Sequence, residues 1–223
     1  MSLKNNWTIC TIFFSLLLTL SSCTPVKEFK GNLHTHTSDS FDGYMTYEEA
    51  IAEAQRLEFD FIAITDHNRL NAETANKCSE EKKLLCIMGE ELTKEEDHII
   101  GIDLESEIRT ELSNERNIEN IKKQGGLAIA AHPGAENGGL SYEEIKELAP
   151  KLDAMECWNR RLDQTRYQEL MEKLSKETVL PCIYNSDAHK VEQLQWISTT
   201  CKMESLTKEN VKKAVKEGKC YKN

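Results

Sequence analysis

Apolar and polar positions along this chain fall into short runs that switch repeatedly between a period near two and a period near 3.6. Phe29–His34 (FKGNLH) reads as a strand. Thr46–Leu57 then takes helical spacing, with Thr46 as cap and Glu49 three residues on, a capping box. Phe59–Thr65 (FDFIAIT) is aromatic and β-branched and predicts a second strand. Asn71–Lys83 predicts a helix, and Leu84–Met88 and His98–Ile102 predict strands. Glu107–Gln124 is a polar helical stretch ending at the Gly125-Gly126 pair, a suitable C-terminal stop. Leu127–Ala131 is a strand, and Ser141–Leu148 a helix with a second capping box, Ser141 and Glu144. Leu152–Trp158, Val179–Tyr184 and Ser198–Met203 read as strands. Asp163–Lys176 and Leu206–Lys216 read as helices, the last stopped by Gly218.

Alternation of this kind predicts an α/β fold with a largely parallel sheet. About seven strands in a chain of this length favour a closed, TIM-barrel-like arrangement over an open sheet.

The ends of the chain change the picture of where the protein works. MSLKNNWTICTIFFSLLLTLSSC carries an apolar run from Trp7 to Leu20. That run is shorter than the ~20 apolar residues of a membrane span. It predicts a signal peptide over residues 1–22. Leu20-Ser21-Ser22-Cys23 resembles a bacterial lipobox. The expectation is therefore an exported lipoprotein of the cell envelope, held to the membrane through lipidated Cys23. Residues 23–28 are expected to be a tether, and 29–223 a single barrel domain. Six cysteines remain beyond Cys10 and Cys23, and an oxidising compartment permits disulfides among them. Cys201–Cys220 is the expected pair, while Cys86 and Cys182, in strand-like runs, are expected as small core residues. The absence of any CxxC argues against a zinc–cysteine site.

The formal net charge is −10 across 223 residues. That disfavours long nucleic acid as a partner. A phosphorylated substrate would need bound cations to offset the protein's own field. Neither GxGxxG nor GxxxxGK[ST] occurs, so nucleotide binding of those kinds has no support.

All six histidines stand at predicted strand ends: His34, His36, His67, His98, His132 and His189. Carboxylates accompany them: Asp39 and Asp42, Asp66, Glu90 and Glu91, and Asp187. In an α/β barrel the C-terminal strand ends converge on one face. Imidazole with carboxylate suits Zn, Mn or Fe, and this donor set exceeds the need of one ion. Glu90 and Glu91 point to opposite sides of their strand, so one of them serves. Asp66 is expected to orient the neighbouring turn.

HTHTSDSFDG, TDHN, GEELT, DHIIG, AHPG and NSDAH, in this order, resemble the PHP (polymerase and histidinol phosphatase) family, over about Phe29 to the C-terminus. The resemblance implies a distorted (β/α)7 barrel with a site for three divalent ions (Mn, Zn or Fe) at the C-terminal ends of the strands. It implies a phosphoesterase that attacks a small phosphomonoester or short phosphodiester with a metal-activated hydroxide. Carried over by position, one ion takes His34, His36, Glu91 and Asp187. A second shares Glu91 and adds His98 and His132. A third takes Asp42, His67 and His189. Glu91 is chosen because the family reads Gly-x-Glu. Asp42 is chosen on the family's Ser-Asp-Gly, although Phe41 replaces that serine and Asp39 competes. Asp187 and His189 are also placed at the reacting centre. Arg160 and Arg161, just past a predicted strand end, are candidates to grip a phosphate, or else a solvated helix entry. The export signal departs from the family's many cytoplasmic members. An amidohydrolase-like metal hydrolase, a non-catalytic metal-stabilised binding module and an exonuclease are the alternatives.

Overall fold

The protein is described by a computed structural model covering residues 25–94, 97–109, 113–135, 138–158 and 164–223. The segment read as a signal peptide, and Cys23, lie outside the described residues. The elements run β1 (Lys27–Asn32), α1 (Tyr47–Arg56), β2 (Phe61–Ile64), α2 (Ala72–Glu80), β3 (Leu85–Lys94), β4 (Asp97–Ile102), α3 (Asn114–Lys123) and β5 (Leu127–Ala130). They continue with α4 (Tyr142–Leu148), β6 (Ala154–Glu156), α5 (Gln164–Thr178), β7 (Cys182–Ile183), β8 (Thr199–Met203), α6 (Lys208–Lys216) and β9 (Cys220–Lys222).

One sheet of nine strands has the order β7-β6-β5-β4-β3-β2-β1-β8-β9. The β1–β2, β2–β3, β5–β6 and β6–β7 pairings are parallel. The β3–β4, β4–β5, β1–β8 and β8–β9 pairings are antiparallel. The sheet is thus mixed rather than largely parallel. Two residues separate β3 from β4. That suits a hairpin, whereas a parallel crossover takes a dozen or more residues.

The sheet nearly closes into a barrel. Past β1, Thr35 bridges Ala188 in parallel, and the His36 amide donates to the Ala188 carbonyl at 2.8 Å. The Thr199 hydroxyl of β8 accepts from the Tyr184 amide (2.9 Å) and donates to the Tyr184 carbonyl (2.6 Å).

Alternation builds three cores. Phe61 and Ala63, Ile87, Ile100 and Ile102, Leu127 and Ile129, Ala154 and Ile183 form one cluster with Val211, Ala214 and Val215 of α6. This is the barrel interior, with α6 as its plug. The opposite faces of β2 and β3 (Ile62, Ile64, Cys86, Met88) pack on Ala50, Ile51 and Ala54 of α1 and Cys78 of α2. Those of β4 to β6 pack on α3, α4 and α5 through Ile118, Ile121, Ile145 and Met171. Both capping boxes form, at Thr46–Glu49 and at Ser141–Glu144.

Four expectations need correction. The third helix starts at Asn114, capped by Ser113, rather than at Glu107. The Ile108 amide is instead turned to Glu90 Oε2 at 2.9 Å. β1 begins at Lys27, inside the expected tether, because Lys27 pairs with Met203. Gly218 (φ 63°) ends α6 and also turns the chain into β9, a strand the sequence pattern does not suggest. Finally, Cys86 and Cys182 are not free core thiols. The six cysteines among the described residues all pair, as Cys78–Cys86, Cys157–Cys182 and Cys201–Cys220.

Asp103, just past β4, ties α6 to the barrel floor: its carboxylate lies 2.5 Å from Lys212 Nζ and 3.3 Å from Lys208 Nζ. Partial burial pushes this carboxyl up, but the two ammonium groups outweigh it and the pKa is lowered. Asp103→Asn is expected to cost about 1 kcal/mol at neutral pH, less at high salt. Asparagine tolerates the local φ of 62°, so the change isolates the charge. A depressed carboxyl pKa stabilises above its unfolded value, so the cost is full above about pH 5. It fades as pH falls through the lowered folded value, and urea unfolding of both proteins at several pH values measures it.

Candidate metal centre

The inward positions of the barrel continue past the apolar interior into a polar layer, two residues at a time. Ile87 leads to Glu91, Ile100 back to His98, Ala63 to His67, Ala154 to Glu156, and Ile183 to Asn185 and Asp187. Because β4 runs antiparallel, its first residues lie at the same face as the last residues of its neighbours. That brings His98 to the cluster from a strand's beginning. Parity would turn His132 away, since Ala131 faces the interior. A backbone break at His132 (φ 24°) accompanies its return to the site.

Glu91 is the hub and is fully buried. Its Oε1 lies 2.9 Å from His98 Nδ1 and 3.1 Å from His132 Nε2. Its Oε2 lies 3.2 Å from His34 Nε2, 3.1 Å from His36 Nε2 and 3.2 Å from His67 Nδ1. Asp187 Oδ1 faces His34 and His36 at 3.5 and 3.4 Å. Asp42 reaches His189 Nε2 at 3.0 Å and His67 Nε2 at 3.6 Å. Three donor groups result: His34, His36, Glu91 and Asp187; His36, Asp42, His67 and His189; and His67, Glu91 and His98. The first is the set carried over for one ion. The second adds His36 to the set for another. In the third His67 stands where His132 was expected, although His132 also touches Glu91.

The paired alternatives separate by position. Glu90 shares the parity of Met88 and lies outside the cluster, where burial pushes its carboxyl up to about 7. Asp39 accepts from the Thr74 hydroxyl at 2.7 Å and is tied to α2. Asp66 accepts from the Thr37 amide (2.5 Å) and hydroxyl (2.8 Å), the turn-orienting role expected of it. Arg160 and Arg161 lie outside the described residues.

The electrostatics fit bound cations. Burial pushes His34 and His36 down, but surrounding carboxylates overrule it. Glu156, Glu91 and Asp187 hold His34 well above its usual range, and Asp187 and Glu91 raise His36 to about 9. Burial, and then the charge on His36, lowers His67 to about 3 and His189 to about 4. Burial pushes Glu91 up, yet His34, His132 and His36 hold it well below the carboxylate range. His34 Nε2 and His36 Nε2 face each other at 3.0 Å. Two lone pairs repel there, and so do two N–H groups when both rings are charged. Glu91 Oε2, Asp42 Oδ1 and His132 Nδ1 are buried without a hydrogen bond. Each such orphan costs about 1–3 kcal/mol unless something else binds it. Nitrogen and carboxylate donors in this mixture suit Mn, Zn or Fe.

Of the supporting residues, Glu156 lies outside every motif, while Ser40 and Asn185 lie inside HTHTSDSFDG and NSDAH without being ligand candidates there. Glu156, in β6, accepts from His34 Nδ1 (3.0 Å), Asn185 Nδ2 (2.9 Å) and the His132 amide (2.9 Å). It fixes the proton of His34 on Nδ1 and leaves Nε2 turned to the centre. Parity with Ala154 was the available signal. The Ser40 hydroxyl accepts from the His67 amide (2.8 Å) and meets His36 Nδ1 (3.0 Å). Glu156→Gln is expected to lower metal affinity roughly 10–100-fold with the fold retained. All three neighbours donate, so the new amide NH₂ must face one of them. Metal competition titrations measure the loss, and wild-type affinity would rule out the positioning role.

The pattern of the PHP domain family matches residues 32–210. An uncharacterized protein of Methanocaldococcus jannaschii is 36% identical over 141 residues, covering 58% of this chain and 81% of that one. A Bacteroides vulgatus two-domain protein containing a predicted PHP-like metal-dependent phosphoesterase superposes with a TM-score of 0.75 at 19% identity. That match covers 89% of this chain but 65% of the other, so this chain spans just under two thirds of that protein. The lesion-specific endonuclease EndoQ of Pyrococcus furiosus superposes with a TM-score of 0.68 at 18% identity, over 86% of this chain and 56% of the enzyme. These two likenesses speak for the fold. The family match runs from the end of β1 into α6 and takes in every histidine of the cluster, and on that ground the chain belongs to the PHP domain family.

Proposed function

We propose that this protein is a metal-dependent phosphoesterase acting on a small phosphomonoester or short phosphodiester with three divalent ions, Mn, Zn or Fe. The observation that carries the reading is Glu91, a buried carboxylate facing five imidazoles, one of its oxygens left without a hydrogen bond. His34, His36, Glu91 and Asp187 would hold one ion. Glu91, His98 and His132 would hold a second, and Asp42, His67 and His189 a third.

The ions, when bound, lower the pKa of water and neutralise charge developing on a phosphoryl group. The chain's own contribution is to aim its donors. Glu156 keeps the His34 proton on Nδ1. The Asp187 carbonyl, 3.0 Å from His189 Nδ1, keeps Nε2 of that ring toward Asp42. Asp66 and Ser40 lock the turn after His36. Arg160 and Arg161 are proposed to grip the phosphate. Loss of turnover in Arg160→Ala or Arg161→Ala, with ions retained, supports that role, and normal kinetics in both ends it.

We also place the protein outside the cytoplasm, anchored through Cys23. The pairing of all six cysteines of the barrel supports an oxidising compartment. The functional test is release of p-nitrophenol from its phosphate ester by the full-length protein with Mn²⁺, alongside His67→Ala. Activity that a chelator abolishes and the variant lacks is expected. No turnover with ions demonstrably bound would overturn the phosphomonoesterase reading in favour of a phosphodiester, an amide-type substrate or a non-catalytic role.

A further inference from the structure

The turn between His36 and α1 is pinned at nearly every residue. Ser38 N donates to the Met45 carbonyl (2.7 Å), Ser40 N to that of Thr37 (3.0 Å) and Tyr44 N to that of His189 (2.8 Å). Asp39 is held by Thr74, and Ser40 by His36 and His67. Gly43 lets the turn fold back so closely that any side chain would strike the Thr37 carbonyl. Yet this rigid turn holds two large rings in water: Phe41 is 81% exposed and Tyr44 74%. Folding gains nothing from that exposure. A polar residue would serve a solvated turn better.

The Phe41 ring and the Tyr44 backbone both adjoin the His67–His189 side of the centre. Phe41 stacks on the His67 imidazole with centroids 4.8 Å apart and planes 25° apart, so one face is covered and the other is open. Phe41 also precedes Asp42, which bridges His67 and His189. Tyr44 hangs from the His189 carbonyl, and Lys190 Nζ lies 5.1 Å above its ring, placing a positive charge on the rim. A phosphoryl group held between His67 and His189 would carry its organic half out past the open face of Phe41.

We infer that Phe41 is the specificity-determining residue of the site, and that it stacks on a flat ring in the organic half of the substrate. The substrate class is then phosphate esters of aryl or heteroaryl-bearing alcohols, nucleoside monophosphates among them, rather than sugar or glycerol phosphates. This inference rests on the phosphoesterase reading. Base-to-aromatic stacking is sequence-tolerant and strong enough for a single ring to matter.

The test compares full-length wild type, Phe41→Ala and Phe41→Trp, each loaded with Mn²⁺, on phenyl phosphate, adenosine 5′-monophosphate and glycerol 2-phosphate. Because Phe41 is so exposed, neither substitution should disturb folding, and unchanged melting temperatures check this. Phe41→Ala is expected to raise KM for the two ring esters roughly 10-fold with kcat nearly constant, and to leave glycerol 2-phosphate unchanged. Phe41→Trp should hold or lower the ring-ester KM. Calorimetry supplies a readout independent of turnover: Phe41→Ala should weaken adenosine 5′-monophosphate and leave inorganic phosphate alone. Equal effects on all three esters would mean that Phe41 only shields His67, and no effect on any would remove it from the site; either overturns the inference. If no ester is hydrolysed but nucleotide binding still depends on Phe41, the ring ledge stands and the phosphoesterase reading falls. If neither is seen, both fall.

Discussion

Glu91→Gln is expected to strip the centre of ions and to lower turnover well beyond the ~10–100-fold that follows loss of an outer partner such as Glu156. The two oxygens of Glu91 serve five histidines from β1, β2, β4 and β5 or the residues flanking them. Glutamine keeps the shape but loses the charge, and its NH₂ must face either the His98–His132 pair or the His34–His36–His67 trio. No rotamer satisfies both. Glu90→Gln is the control: it is equally buried, but its carboxylate serves the Ile108 amide on the outer side of β3. An amide oxygen can accept that bond, so this neighbour should keep its ions. Metal content by mass spectrometry and turnover on p-nitrophenyl phosphate read both variants. Full metal content in Glu91→Gln would remove Glu91 from the hub.

Reduction of the disulfides is expected to remove most of the stability. The three bridges span 8, 25 and 19 residues. Chain entropy alone assigns about 2.5, 3.5 and 3 kcal/mol to loops of those lengths. The loops do not overlap, so the contributions add to roughly 9 kcal/mol, comparable with the ~5–15 kcal/mol that stabilises a typical domain. Cys157 follows Glu156 and Cys182 precedes Ile183, so their bridge also steadies the strands that place Glu156 and Asn185. Urea unfolding of the metal-free protein with and without reductant should show the midpoint collapse. An unmoved midpoint would mean that the native contacts hold the fold without the bridges.

The sequence pattern was most legible where local chemistry decides the outcome. Thr46–Glu49 and Ser141–Glu144 open helices because a hydroxyl and a carboxylate at that spacing satisfy the first free amides. The strand-end histidines were legible because a barrel gathers strand ends. What escaped depends on contacts between distant segments. The orientation of β4 follows from how closely it succeeds β3, which a run of apolar residues does not reveal. β9 exists because β8 offers it an edge. The Cys157–Cys182 pair joins neighbouring parallel strands that only the assembled barrel sets side by side, whereas Cys78–Cys86 closes a short loop between α2 and β3 that the strand-like pattern around Cys86 concealed. Glu156 was concealed by sitting in an apolar run, with no histidine beside it.

The join between the segments following β1 and β7 is the thinnest seam of the barrel, and the donors of one proposed ion come from both sides of it: His34 and His36 on one, Asp187 on the other. An ion there would act as a clasp as well as a reagent. Removing it should let the seam breathe, so the amide hydrogen of His36, bonded across the seam to Ala188, should exchange with deuterium much faster in the chelated protein, while the amide of Ile129, in β5 between β4 and β6, keeps its protection. Occupancy of that ion and closure of the barrel would then be two faces of one equilibrium, each strengthening the other.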